Sequence, residues 1–170
     1  YVRVNRVMYP LIKPYAFASI TYNTATNSID YALIEPPLTD EETAVLEKFK
    51  EGLIQIVNVS LESVAKRDVV IDFLEENIQH LIDEYGIVVR KEQYLKIMYY
   101  IYRDFIGLNE IEPLLQDPYI EDIGCDGIGV PVYVIHQKYG SVRTNIVYND
   151  DKKLREFVTK LAERCARYIS

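Results

Sequence analysis

A chain of 170 residues with 49% hydrophobic side chains has enough apolar material for a real core, which excludes a disordered tail and suits one large domain or two small ones. Its formal charge of −7 excludes general nucleic-acid binding, because phosphate neutralisation needs a Lys/Arg surplus gathered on one face. No apolar run approaches the roughly 20 residues that span a bilayer, and Cys125 and Cys165 stand far from any zinc-chelating spacing, so both are expected as buried free thiols in a reducing compartment.

Residues 15–22 and 29–35 are rich in aromatic and β-branched side chains and flank a polar segment, which predicts a β-hairpin. Pro36 and Pro37 stop the second strand. Thr39-Asp-Glu-Glu42 then supplies a capping box, in which the Thr hydroxyl and the Glu carboxylate each satisfy a backbone N–H that has no helical partner. The helix that starts there carries Val45, Leu46, Phe49, Leu53, Ile56 and Val57 at helical spacing, although Gly52 costs it about 1 kcal/mol relative to Ala.

A second helix repeats the pattern through Val64, Ile71, Leu74, Ile78, Leu81 and Ile82 and breaks at Gly86. A third places Leu95, Met98, Tyr99, Tyr102 and Phe105 on one side and ends at Gly107. Three amphipathic helices with short connections predict a small antiparallel bundle.

From Gly107 the segments shorten and Gly and Pro punctuate them. Residues 110–117 suit a short helix, with Pro113 tolerated in its first turn. Strands are expected over 120–125, 132–137 and 141–148, with a tight connection at Lys138-Tyr-Gly140. Asn149-Asp-Asp151 caps a last helix whose apolar stripe is Leu154, Phe157, Val158, Leu161, Cys165, Tyr168 and Ile169. The predicted class is α+β: a β-hairpin and three-helix bundle over 1–106, then a small antiparallel-rich sheet backed by a C-terminal helix over 107–170.

Charge is unevenly placed along this order. Residues 40–90 carry 12 acidic against 5 basic side chains, whereas 124–170 carry 5 acidic against 8 basic, so an anionic partner is expected at the tail end. Arg143 on a strand and Arg164 and Arg167 on the last helix form the basic set to test for phosphate contact; cations near a helix C-terminus are also ordinary dipole partners. Glu75, Glu76, Asp83 and Glu84 form an acidic surface on the second helix, suited to basic loops of a partner protein.

Catalytic signals are missing where they would be needed. A P-loop requires Gly-x-x-x-x-Gly-Lys-Ser/Thr, and no Gly-Lys pair occurs. Val69-Val-Ile-Asp72 has the look of a Walker-B acid after an apolar run, but helical periodicity continues through it. Gly124-Cys-Asp-Gly127-Ile-Gly129 has the wrong spacing for a dinucleotide loop and reads as a turn between strands. His80 and His136 have no second ligand at i+3 or i+4, so no metal site is expected; each is read as a surface or partly buried structural residue.

Residues 107–127, containing Leu114-Leu-Gln-Asp-Pro118 and Ile120-Glu-Asp-Ile-Gly124, followed by Pro131-Val-Tyr-Val-Ile-His136, resemble the second amino-terminal segment of type II/IV secretion system ATPases. Upstream, Pro14-Tyr-Ala-Phe17 and Tyr31-Ala-Leu-Ile-Glu-Pro-Pro-Leu-Thr39 are similar to the archaeal branch, which includes archaellum, pilus-assembly and secretion motors. Downstream, residues 161–170 look like the approach to the ATPase core, with Ala166 where a Gly is common.

The resemblance implies an amino-terminal regulatory, oligomerisation and force-transmitting domain of a hexamer. Such a fragment is not itself an enzyme and holds no cofactor, while ATP and Mg²⁺ belong to a carboxy-terminal core beyond Ser170. Implied partners are that core, neighbouring subunits, and a membrane platform or cytoplasmic accessory protein, at the cytoplasmic face of the membrane. A stand-alone adaptor of a secretion or pilus system is the competing expectation.

Overall fold

The computed structural model describes residues 6–60 and 67–169, with side chains described outside 57–60, 67 and 166–169. It is α+β and divides into two compact units: residues 1–36 with 108–170, and residues 37–107.

The first unit is built on one six-stranded sheet. Its strands are β1 (Arg6–Ile12), β2 (Ala16–Asn23), β3 (Ser28–Ile34), β4 (Ile120–Gly124), β5 (Pro131–His136) and β6 (Gly140–Val147), in the order β1-β2-β3-β6-β5-β4. The predicted hairpin is β2–β3, paired antiparallel from Phe17↔Ile34 to Asn23↔Ser28. β1 was not expected from the sequence. Pro10 interrupts its apolar run and lacks an N–H to donate, a defect that an edge strand tolerates, and the register shifts between Pro10 and Ile12.

The expected division at residue 106 differs from the observed one because the hairpin does not stay with the helices. β3 pairs parallel with β6, through Asp30↔Arg143 and Tyr31↔Thr144, and so joins the N-terminal strands to the C-terminal ones. The Asn145 side chain extends this short seam: it accepts from the Leu33 N–H at 2.8 Å and donates to the Leu33 carbonyl at 3.1 Å. One amide thus stands in for a strand residue and satisfies both backbone groups of Leu33.

Alternate residues of every strand point to one face, where Ala18, Ile20, Tyr31, Leu33, Val132, Val134, Val142 and Ile146 form the core. A 3₁₀ turn (Asn109–Ile111), a short helix α4 (Glu112–Leu115) and the long helix α5 (Asp151–Ile169) contribute Ile111, Leu114 and Phe157 to that core. Here α4 and α5 are numbered in chain order after the three helices of the second unit. Asp150 caps α5 by accepting from the Lys152 N–H at 2.9 Å.

The predicted stripe of α5 is only partly buried. Leu154, Phe157 and Leu161 meet the sheet, whereas Val158 and Cys165 are exposed, and the side chains of Tyr168 and Ile169 lie outside the described residues. Seven apolar positions make a stripe wider than one sheet face covers. Cys125 is exposed as well, so the expectation of two buried thiols is corrected: both cysteines are free and at the surface.

The second unit comprises α1 (Asp40–Ser60), α2 (Arg67–Tyr85) and α3 (Lys91–Phe105) around Leu46, Phe49, Leu53, Leu74, Ile78, Leu81, Ile97, Met98 and Ile101. The capping box forms as expected: the Glu42 N–H donates to Thr39 Oγ1 at 3.1 Å and the Thr39 N–H donates to Glu42 Oε1 at 3.0 Å. α2 ends at Tyr85, before Gly86, and the Ile87 N–H donates to the Ile82 carbonyl at 3.1 Å, closing the helix end. Val64, expected in the second helix, lies outside the described residues.

Gly52 has a packing reason for its cost in helix propensity. A Cβ there would stand 2.9 Å from both Leu81 methyl carbons, so its absence lets Leu81 pack against the backbone of α1. On α3 the buried stripe is Ile97, Met98, Tyr99 and Ile101, and Leu95 is 40% exposed, a phase correction of about one residue. Two ion-pair groups tie α3 to the first helix: Lys96 to Glu42 at 2.9 Å, and Lys50 and Arg103 to Asp104 at 2.6 and 2.7 Å.

Candidate functional site

Arg143 sits between Val142 and Thr144 on β6, and since those two face the core, its side chain leaves from the opposite face of the sheet. It lies in a lateral row in which Arg6, Thr21, Asp30, Arg143, Tyr133 and Gly124 are successive register partners across all six strands. The guanidinium is 62% exposed and 3.6 Å from the Asp30 carboxylate, a weak surface pair. The Tyr133 ring lies over Gly124, where an added Cβ would come 2.1 Å from the ring.

Arg164 is half-buried on α5, the helix that covers the core face, so the structure does not gather Arg143 and Arg164 into one basic patch. The Arg167 side chain lies outside the described residues. Glu75, Glu76, Asp83 and Glu84 are all exposed on α2; Glu75 accepts from the Tyr102 hydroxyl at 2.6 Å and Asp83 from the Gln79 amide at 3.2 Å. Asp72 is exposed in the middle of α2, which removes it as a Walker-B acid.

A polar network that sequence reasoning missed lies inside the sheet unit. Asp117 is buried, and its Oδ2 accepts from the hydroxyls of Tyr9 at 2.6 Å and Tyr31 at 2.8 Å while Oδ1 accepts from the Tyr119 N–H at 2.8 Å. His136 is only 2% exposed. Its Nδ1 accepts from the Lys138 N–H at 3.1 Å, which fixes the proton on Nε2, and Nε2 in turn donates to the Tyr9 oxygen at 3.0 Å.

Burial, reinforced by the Asp117 hydrogen bond and charge, raises both tyrosines well above their ordinary value of 10.0. His136 is lowered from 6.5, chiefly by burial and also by Lys138, against the opposing charge of Asp117. With Asp117 accepting from Tyr9, Tyr31 and the Tyr119 N–H, and His136 donating to Tyr9, the arrangement fastens β1, β3, β5 and the turn after α4 to one another. Asp117-Pro118 was visible as part of a motif, but its partners lie 86 and 108 residues away, beyond any local pattern.

Between α5, α4 and β4 runs a groove of about 600 Å³. Leu115, Ile123, Leu154, Val158 and Leu161 line it, and Glu121 and Asp122 of β4 border it. A second hollow of about 430 Å³ follows the solvent face of α5 and mixes charges of both signs, including the Arg155–Asp151 pair at 2.7 Å, as an exposed helix does. Among the described residues no three His, Cys, Asp or Glu side chains are grouped so as to hold a metal, and no helix is long and apolar enough to cross a membrane.

No family model matches the chain. Two proteins of Methanocaldococcus jannaschii are similar to it. The uncharacterized protein MJ1288 is 32% identical over 151 residues, covering 89% of this chain and 60% of MJ1288. The uncharacterized protein MJ0900 is 30% identical over 158 residues, covering 88% of this chain and 27% of MJ0900. The chain therefore spans only part of the length of either relative.

Proposed function

We propose that this chain is an amino-terminal regulatory, oligomerising and force-transmitting region of a hexameric secretion or archaellum-assembly ATPase. The observation that carries the proposal is the run of motifs over residues 107–136, which resembles that family and here builds α4, β4 and β5. Alignment with a minor part of the longer archaeal protein MJ0900 supports it, because the uncovered remainder is more than twice the aligned length and has room for a motor core.

In this assignment ATP and Mg²⁺ are bound by polypeptide beyond the segment, and the segment moves against it. A basic surface that contacts phosphate in one geometry and not in another biases that movement through its differential affinity. Arg143, Arg164 and Arg167 are assigned to phosphate contact, and Glu75, Glu76, Asp83 and Glu84 to a basic face of a membrane platform or accessory protein. Since Arg143 and Arg164 leave different sides of the sheet, they serve different contacts, one of them with a neighbouring subunit.

MJ1288 favours a second assignment. Its uncovered 40% is shorter than the aligned part, which fits a docking module with a small companion domain better than a motor.

The deciding experiment uses the full-length product of the gene that encodes this segment. A Mg²⁺-ATPase that assembles into rings is expected, and replacing Arg143, Arg164 and Arg167 together with Gln is expected to lower kcat/KM by about tenfold or more. Unchanged affinity and turnover in that variant would remove the phosphate-contact role, and a product without nucleotide hydrolysis would leave the docking module.

A further inference from the structure

The turn between β5 and β6 covers a histidine whose two ring nitrogens are both committed. His136 is 2% exposed, closed over by the rings of Tyr9, Tyr119 and Tyr139 with centroids 6.5, 5.7 and 4.9 Å away. Its Nδ1 accepts from the Lys138 N–H at 3.1 Å, and its Nε2 donates to the Tyr9 oxygen at 3.0 Å. The bonds run one way, from the Lys138 amide through the ring and Tyr9 to Asp117, which also accepts from Tyr31 and the Tyr119 N–H. Such a chain fits a neutral ring only, because an imidazolium carries two N–H donors and no acceptor.

The turn itself is lightly held. Residues 137–139 lie between the paired His136 and Gly140; Gln137 and Lys138 are exposed and Tyr139 is half-buried. The Gln137 N–H donates to the Tyr119 carbonyl at 2.8 Å and its side-chain amide to the Pro118 carbonyl at 3.4 Å. Beyond these, the turn is fastened by the Lys138 N–H and the Tyr139 ring on His136, and by the Lys138 ammonium 5.0 Å above the Tyr119 ring. Around His136 thus stand Tyr9 from β1, Asp117 and Tyr119 from the turn after α4, and Lys138 and Tyr139, with Tyr31 of β3 behind Asp117.

We infer that residues 137–139 form a pH-operated lid over this buried network, which protonation of His136 at Nδ1 drives open. A proton at Nδ1 sets two donors, the ring N–H and the Lys138 N–H, against each other in a site closed to water. Asp117 is the carboxylate that favours the cation, but its Oδ2 already holds two hydroxyls, so a direct pair with the ring displaces Tyr9. Swinging the lid outward removes the clash, carries the Lys138 charge away and gives Nδ1–H a water to meet.

Linkage sets the direction. Under the closed lid, burial and the Lys138 charge hold the ring below its ordinary 6.5 against the pull of Asp117. An open lid returns the ring to water and to that ordinary value, so the open form binds the proton more tightly. The lid is therefore closed at neutrality, and opening is favoured progressively as pH falls below 6.5.

The test is an NMR titration of the isotope-labelled 170-residue chain from neutrality downward. Ring chemical shifts follow the proton on His136, and amide exchange, divided by the intrinsic rate at each pH, follows the lid. Protection of the Gln137 and Lys138 amides is expected to fall by about tenfold or more with the His136 midpoint. Val134 and Val142, paired across β5 and β6, are expected to keep theirs. His136→Asn, which sets a non-titrating oxygen in the place of Nδ1, is expected to keep the Lys138 amide protected throughout. His80→Gln, at the exposed histidine of α2, is expected to change nothing.

A Lys138 amide that stays protected once the ring is charged overturns the inference, since the turn then accommodates the cation. Loss of the Val134 and Val142 amides at the same pH overturns it as well, because the whole sheet is then unfolding. So does an opening that persists in His136→Asn. The first two outcomes are read on the unaltered chain, so they decide the matter even where the variant fails to fold.

Discussion

Asp117 shows how one buried carboxylate organises distant segments. Tyr9 and Tyr31 donate to the same oxygen, so the two bonds polarise a single acceptor and their effects are coupled. Tyr31→Phe is expected to cost about 1.5–3 kcal/mol, the range for a hydrogen bond to a charged group. The double variant with Tyr9→Phe is expected to differ from the sum of the singles by at least about 0.5 kcal/mol; additivity in urea melts would show that the two hydroxyls act separately.

His136 adds a pH dependence with a definite sign. Its folded value lies below 6.5, so below that pH the unfolded chain binds the proton more readily than the folded one. The stabilisation is complete above 6.5 and is lost as pH falls through the folded value. As pH falls from neutrality through 6.5 and below, the Tm is expected to fall, and His136→Gln is expected to flatten that slope. A slope unchanged by the substitution would assign the dependence to other groups. Glu42 and Asp104 extend the loss further into acid. Lys96, through its hydrogen bond, holds the Glu42 carboxyl below its ordinary value; burial pushes Asp104 up, but Arg103 and Lys50 outweigh it.

At the scale of elements, local chemistry was readable and partners were not. The hairpin, the Thr39–Glu42 box, the stop at Gly86 and the cap at Asp150 each follow from residues within a few positions of one another, and each forms as the sequence predicts. β1 escaped because Pro10 breaks its pattern, and Leu95 was misplaced because two apolar phases overlap on α3. Pairing of β3 with β6 escaped for a different reason, since alternation says which face a residue takes and nothing about which strand lies alongside. For the candidate site, the acids of α2 were legible as an exposed face, whereas the groove needs three elements to be in place before it exists.

Gly124 connects element and motif. It ends the Ile-Glu-Asp-Ile-Gly run, and the Tyr133 ring occupies the space that a side chain would take. Gly124→Ala is expected to displace that ring and cost about 1–3 kcal/mol, as overpacking does. Tyr133→Ala combined with Gly124→Ala is expected to recover part of the loss beyond Tyr133→Ala alone; no coupling in denaturant melts would refute the steric account.

For the molecule as a whole, two separate apolar clusters mean two sources of cooperativity. Residues 37–107 hold a complete core of their own, and domains of about this size fold alone. Expressed by themselves they are expected to be helical by circular dichroism and to melt cooperatively, and Phe49→Ala is expected to lower that midpoint. A non-cooperative, featureless melt would show that the helices depend on the sheet.

Because the helices α1–α4 and the strands β4 and β5 all come between β3 and β6 in the chain, the Leu33–Asn145 clasp joins residues 112 apart. Closing so long a loop before any contact rewards it is entropically slow, yet a bundle that folds first replaces seventy-odd loose residues with a compact spacer. A helical unit that folded first would shorten the search that the last seam has to make. Nascent chains leaving the ribosome meet the segments in that same order, so synthesis itself delivers the spacer before β6 arrives.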